Sequence, residues 1–330
     1  MTRGLIVGKF LPFHRGHRDL LERAARGSDE LYVIVCDADW HMIPAELRAQ
    51  WIREAASSLE IPVHVLTVDG DDYCVADDDS EGWAAITLEL LGMPPDVVFT
   101  GEDYGDRYAR ALGCRHERGA RLADGTSGTM IRASPLSHLD KLDPHVRAYF
   151  VKRVCIIGAE STGKSTLAMD LAQNYGTVAV PEFGRHFTEA MPQPPNYSWS
   201  SRDFHLIAEM QARIEDDAAR WVGPLLICDT NPLVTAVLHE TYLGVSEPGL
   251  LDAALARPYS LYLLCDVETP FVQDDTGLRH NGEARRHLDE RYRSILRDQR
   301  LPWTRVTGDR RERVRQASEA IEPLLTLRLE

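Results

Sequence analysis

Two short stretches of this chain place cations, hydroxyls and glycines where phosphate groups could be held. The first is Gly158-Ala159-Glu160-Ser161-Thr162-Gly163-Lys164-Ser165, a complete G-x-x-x-x-G-K-[ST] pattern. It follows the apolar run Lys152 to Ile157 and precedes a segment of helical spacing, Thr166 to Tyr175. In that setting Gly158 and Gly163 let backbone N–H groups curl around phosphate oxygens, and the helix N-terminus adds a favourable dipole. Lys164 is expected to reach the β- and γ-phosphates of ATP and Ser165 to ligate Mg²⁺, with Glu160, Ser161, Thr162 and Thr166 completing the nucleotide loop.

The second stretch is Gly8-Lys9-Phe10-Leu11-Pro12-Phe13-His14-Arg15-Gly16-His17. Two imidazoles three residues apart, at the start of a helix, can donate hydrogen bonds to phosphate oxygens. Gly8 and Gly16 let a ligand approach the backbone, and Lys9 and Phe10 complete the loop. The spacing also suits a metal, but no third ligand is evident. Arginine outnumbers lysine 33 to 4, so a lysine in a glycine loop points to a compact ammonium, which the planar guanidinium does not replace. Lys9 and Lys164 both occupy such loops; Lys141 and Lys152 do not.

Other candidates sit at strand ends. Leu225 to Asp229 is an apolar run closed by a carboxylate. Asp229 suits a position near Mg²⁺, and equally a helix N-cap. Pro181-Glu182-Phe183-Gly184-Arg185 follows another strand, at the edge where open parallel sheets bind ligands. There Glu182 could accept a proton or a sugar hydroxyl, and Arg185 could hold an anion. Arg279, Arg285 and Arg286 lie in a long charged segment, Asp266 to Arg286, with the character of a lid over transferring phosphate.

These residues need two scaffolds. Strands are expected at residues 3–8, 30–37, 63–68 and 96–100, with helices from His17 and over Pro44–Ser57, where Leu47, Trp51 and Ile52 face inward. The acidic stretch Asp69–Glu81 reads as a solvated loop. The pattern restarts with strands at 152–157, 178–181, 224–229 and 260–265. Long helices are expected over His205–Trp221 and Arg310–Leu327, and a proline-rich surface loop over Met191–Ser201. Strands alternating with helices mean parallel sheets with right-handed crossovers. The fold class is therefore α/β, with two parallel-sheet domains over 1–150 and 151–330.

Composition excludes several classes. At 44% hydrophobic and 27% charged residues, the chain is a folded globular protein, not a disordered one. Its longest apolar runs are strand-sized, which excludes an ordinary membrane helix, and no signal peptide is evident. A cytoplasmic location without membrane partners is expected. A net charge of −14 makes a general nucleic-acid binder a poor reading. Six cysteines lack any Cys-x-x-Cys spacing and mostly read as small buried hydrophobes.

The histidine stretch resembles the H-x-G-H motif of the nucleotidyltransferase superfamily. Ser127-Gly128-Thr129-Met130-Ile131-Arg132 resembles that superfamily's S-x-T-x-[IV]-R element. A nucleotidyltransferase followed directly by a P-loop kinase looks like the bifunctional NadR family. Gly101-Glu102-Asp103-Tyr104-Gly105 and Pro-Glu-Phe-Gly-Arg also look like it. The resemblance spans nearly the whole chain. It implies a Rossmann-like nicotinamide mononucleotide adenylyltransferase followed by a ribosylnicotinamide kinase. Its small-molecule partners would be ATP, nicotinamide mononucleotide, nicotinamide riboside and NAD, with ATP as co-substrate and Mg²⁺ as cofactor. It further implies that Ser127, Thr129 and Arg132, with Lys9, His14 and His17, hold the phosphates of adenylyl transfer. Lys164, with Asp229 or Glu182, would serve the kinase. A flat nicotinamide ring prefers an aromatic shelf, for which Trp83 and Trp40 are candidates beside packing roles. Some family members begin with a helix-turn-helix domain, whereas this chain starts at its first strand, so a transcriptional role is not expected. The same folds acting on another cofactor precursor, or a non-catalytic pyridine-nucleotide sensor, are the competing readings. A homo-oligomer is left open.

Overall fold

The structure, a computed structural model, describes residues 1–73, 75–76, 78–119, 124–190, 197–267 and 282–326. The chain separates into two compact units, one ending at Tyr149 and the other beginning at Phe150.

The first unit runs β1 (Arg3–Gly8), α1 (Arg15–Arg26), β2 (Glu30–Asp37), α2 (Ala45–Ala56), β3 (Val63–Asp69), α3 (Gly70–Tyr73), α4 (Ser80–Leu91), β4 (Val97–Thr100), α5 (Gly105–Leu112), β5 (Arg115–Arg118), α6 (Gly128–Ala133) and α7 (Pro144–Phe150). Its five strands are parallel, in the order β3-β2-β1-β4-β5. The chain reverses direction across the sheet at β1, so a crevice opens beyond the carboxyl ends of β1 and β4. Leu5, Ile34 and Val98 are buried on one face, against Ala84, Ile86 and Tyr108 from the helices. Burying such side chains contributes about 1.5–3 kcal/mol each, and it fixes the strand ends that carry the loops.

The second unit runs β6 (Lys152–Ile157), α8 (Lys164–Tyr175), β7 (Ala179–Val180), α9 (Phe183–Glu189), α10 (Ser201–Ala219), β8 (Leu225–Asp229), α11 (Pro232–Leu243), α12 (Pro248–Leu255), β9 (Leu261–Cys265), α13 (Gly282–Asp298), β10 (Trp303–Val306) and α14 (Arg310–Ile321). Its sheet is also parallel, ordered β10-β9-β6-β8-β7. β6, β8 and β9 are buried almost throughout and read as continuous apolar runs, as expected for strands covered on both faces.

Several sequence expectations need correction. The acidic stretch 69–81 is not all loop: β3 extends to Asp69, α3 follows, and α4 starts at Ser80 under an Asp79 cap. β5 escaped notice because Arg-His-Glu-Arg has no apolar alternation. The short edge strand β10, Trp-Thr-Arg-Val, is likewise unmarked in the sequence, since only Val306 of it is buried. α10 begins at Ser201, where Ser200 and Asp203 form a capping box, and not at His205. On α2 the deeply buried residue beside Trp51 and Ile52 is Arg48, while Leu47 is only half-buried. Residues 282–286 of the expected lid form the first turn of α13; the rest of it from 268, Arg279 included, lies outside the described residues. Among the described residues no helix is long and apolar enough to cross a membrane.

Candidate active sites

In the first unit the loop after β1 ends in a histidine cap. Gly16 N–H donates to His14 Nδ1 at 3.1 Å, and His14 N–H donates to His17 Nδ1 at 3.3 Å. The rings stack with centroids 3.8 Å apart. Because each Nδ1 accepts from the backbone, each neutral ring carries its proton on Nε2. Burial lowers the His14 pKa to about 4 and holds His17 well below its ordinary value, with neighbouring His14 adding to the shift. At neutral pH both rings are therefore uncharged Nε2–H donors, fixed by the helix start they cap.

Arg132 reaches this loop from far along the chain. Its Nη1 donates to Leu11 O at 2.7 Å and its Nη2 to Thr129 Oγ1 at 3.3 Å. Ser127 caps α6 by accepting from Met130 N–H. His14, His17, Ser127, Thr129 and Arg132 all line one cavity of about 860 Å³, together with Gly8, Lys9, Phe10 and Gly16. The cavity is also walled by Trp83 and by Gly101, Glu102 and Tyr104 from the loop after β4. Trp40 is not part of that wall: it is exposed and lies under Lys9 Nζ, 4.8 Å from the ring centroid. The residue that reasoning from sequence missed is Arg48. It is fully buried and donates to the backbone oxygens of Lys9, Cys36 and Ile43 and to the Asp37 carboxylate. It pins the Lys9 backbone from below.

In the second unit the glycine loop joins β6 to α8. Gly158 has φ +144°, and a Cβ there would meet Cys265 O at 2.8 Å, so only glycine fits. Gly163, at φ +82°, is the N-cap of α8 and offers no side-chain hydrogen bond, which leaves the first helical N–H groups directed at a ligand. Thr162 Oγ1 donates to Ala159 O at 2.7 Å and Lys164 Nζ donates to the same oxygen at 3.0 Å. These bonds brace the loop from inside.

Gly158, Glu160, Ser161 and Lys164 share a cleft with Glu182 and Arg185, whose side chains pair at 3.6 Å. Glu160 thus faces the same cleft as Glu182. Burial raises the Glu182 pKa; Lys164 opposes the shift and Asp229 adds to it. Part of the remaining wall is aromatic, from Trp199, Phe204, Tyr242 and Tyr292, none of them singled out from the sequence; Ile207, Gln211, Val234 and Leu238 also line it. Trp199 meets Phe204 and Tyr242 with centroids 5.1 and 5.4 Å away. Asp229 is buried at the end of β8, and its Oδ1 has no hydrogen-bond partner among the described residues. It is not a helix N-cap: Asn231 caps α11. Arg285 is buried on α13 while Arg286 is exposed. Among the described residues no three His, Cys, Asp or Glu side chains gather as a metal site.

Residues 153–313 match the model of an AAA domain, and residues 3–79 match that of the citrate lyase ligase C-terminal domain. The chain is 26% identical over 326 residues to the trifunctional NAD biosynthesis/regulator protein NadR of Escherichia coli (strain K12), spanning 92% of this chain and 78% of that protein. This chain is NadR-like. Its fold agrees. A NadR protein solved with NAD and AMP-PNP superposes with a TM-score of 0.75 at 21% identity, covering 100% of this chain and 98% of that one. A second NadR structure, in complex with NR, gives a TM-score of 0.74 at 21% identity and covers 97% of its chain. The NadR-like architecture is a nucleotidyltransferase-like unit followed by a P-loop kinase-like unit.

Proposed function

We propose that this NadR-like chain makes NAD in two steps, one per unit. Residues 1–150 form the adenylyltransferase and residues 151–330 the kinase. The observation that supports this reading is that each unit gathers a glycine loop, a lysine and further polar side chains around its own cavity.

In the kinase, the 5′-hydroxyl of nicotinamide riboside attacks the γ-phosphorus of ATP, the bond to the β–γ bridging oxygen breaks, and ADP leaves. Glu182 takes the hydroxyl proton; its raised pKa suits a general base. Lys164 and the N–H groups of the loop hold the phosphates, and the aromatic wall offers the nicotinamide ring a shelf. Asp229 and Ser165 would hold Mg²⁺, since a buried carboxylate oxygen with no hydrogen-bond partner and a hydroxyl suit a hard cation. When bound, that ion neutralises charge on the phosphate oxygens. In the transferase, a phosphate oxygen of nicotinamide mononucleotide attacks the α-phosphorus of ATP and pyrophosphate leaves. His14 and His17 align the phosphates by donating hydrogen bonds, and Lys9 and Arg132 neutralise their charge; no covalent enzyme intermediate is needed. Trp83, which lines that cavity, is the candidate aromatic shelf there.

Acceptor choice tests the kinase half. Nicotinamide riboside should be turned over faster than uridine, cytidine or pantothenate. Glu182→Gln should depress its phosphorylation strongly while calorimetry shows ATP affinity little changed. Because the Glu182 pKa is raised and the carboxylate is the working form, wild-type kinase activity should fall with acidification from above the ordinary carboxylate range. Equal loss of turnover and ATP affinity in Glu182→Gln would remove Glu182 from the acceptor side.

Lys9→Arg tests the transferase half. Charge is kept, but a planar fork replaces a point ammonium above Trp40. We expect at least a tenfold loss in kcat/KM for adenylyl transfer, or about 1.4 kcal/mol of transition-state stabilisation. Wild-type kinetics would show that the Lys9 ammonium has no specific task.

A further inference from the structure

A chain of buried polar side chains that the proposed chemistry does not use runs inward from the wall of the kinase cleft, starting at Gln211, which lines it. Gln211 and Glu215 sit one turn apart on the inward face of α10, both almost wholly buried. Gln211 Oε1 accepts from Phe183 N–H at 2.8 Å, the first residue after Glu182. Gln211 Nε2 donates to Glu215 Oε1 at 3.1 Å. Glu215 Oε2 in turn accepts from Tyr259 OH at 2.5 Å and from Arg257 Nη2 at 3.3 Å. Arg257 also bonds Asp216, which pairs with Arg153 on β6.

An amide has two faces, and a flipped Gln211 would aim its NH₂ at the Phe183 N–H. The Glu215 carboxylate forbids the flip, because it can only accept from that amide. Arg257 and Tyr259 hold the carboxylate in turn. The result is one continuous path from Arg257 to the backbone that carries Glu182. β7 is only two residues long, so strand pairing alone fixes that backbone weakly.

We propose that Gln211, oriented by Glu215, is a positioning residue for phosphoryl transfer: it sets the turn after β7 and thereby aims the Glu182 carboxylate at the acceptor hydroxyl. This rests on the kinase reading given above.

The test uses the full chain and two variants. Gln211→Met keeps bulk and removes both bonds. We expect kcat for nicotinamide riboside to fall at least tenfold, with the KM for ATP within twofold and adenylyl transfer unchanged. The acid limb of the kinase pH profile should move, because Glu182 is displaced from Lys164 and Asp229. Gln211→Glu is the conservative variant. Protonated, the introduced carboxyl accepts from Phe183 N–H through one oxygen and donates to Glu215 through the other, reproducing the amide. Ionised, it repels Glu215. Arg257, Tyr259, Asp216, Arg153 and the Cys228 thiol surround the pair, and burial raises the Glu215 pKa, so a proton should be retained at low pH. Kinase activity relative to wild type should therefore be rescued in acid and decline as pH rises. A folded Gln211→Met with wild-type kcat overturns the proposal. So does a Gln211→Glu activity ratio that is flat with pH, which decides the matter if the methionine variant fails to fold. A rise confined to the KM for riboside would make Gln211 a substrate contact and also overturn it. If wild-type protein does not phosphorylate the riboside, the kinase reading itself fails, a result distinct from all of these.

Discussion

Replacing Lys164 with alanine should abolish phosphorylation of nicotinamide riboside and leave adenylyl transfer to nicotinamide mononucleotide nearly intact. The Lys164 ammonium is held over the glycine loop by its bond to Ala159 O and lines the cleft that Glu182 also lines. A phosphate entering that loop meets a positioned cation, and one such donor contributes about 2.7 kcal/mol or more to the transition state. The expected loss in kcat is at least a hundredfold. Chromatographic product measurement with each substrate reads both activities in one preparation. Loss of both in a folded protein would contradict the two-site reading.

His17→Ala should do the reverse. It removes one Nε2–H donor from the transferase cavity and strips the partner from His14 N–H. Loss of that cap costs the helix about 1 kcal/mol of stability, so a thermal melt must accompany the kinetics. The catalytic loss should still be at least a hundredfold for adenylyl transfer, with riboside phosphorylation unchanged. The pH profile gives an independent check. His14 titrates at about 4 and His17 well below 6.5 in the folded protein, because desolvation disfavours the charged rings and His14 lies beside His17. No histidine limb near 6.5 should therefore appear in adenylyl transfer. Unfolded histidines do titrate near 6.5. Between that pH and the folded value the unfolded chain binds more protons, so the first unit should lose stability as pH falls below about 6.5. An activity limb at 6.5 that vanishes in His17→Ala would mean that the working form is the imidazolium.

The two glycine loops were legible in the sequence because each is contiguous and each sits at a strand-to-helix junction, where spacing alone forces the geometry. Arg132 was legible as part of a second short signature, although its bond to Leu11 O joins residues 121 apart. Arg48 was not. A cation on the apolar face of α2 breaks the helical pattern, and only the structure shows the backbone oxygens that satisfy it. The aromatic wall of the kinase cleft comes from the approach to α10 and from α10, α11 and α13, so no linear spacing records Trp199, Phe204, Tyr242 and Tyr292 as one group. Gln211 and Glu215 do carry a signal: two polar residues four apart on the buried face of an amphipathic helix. Of the two tryptophans proposed as shelves, Trp83 lies on the cavity wall and Trp40 under Lys9, a distinction that their positions after a loop and after a strand could not make.

The most direct measurement gives the wild-type protein only nicotinamide riboside, ATP and Mg²⁺, and follows every product by chromatography. Two coupled sites on one chain predict that NAD accumulates, with nicotinamide mononucleotide as a transient, and that each NAD is matched by one ADP and one pyrophosphate. ADP and nicotinamide mononucleotide without NAD, or no turnover of the riboside at all, would contradict the account.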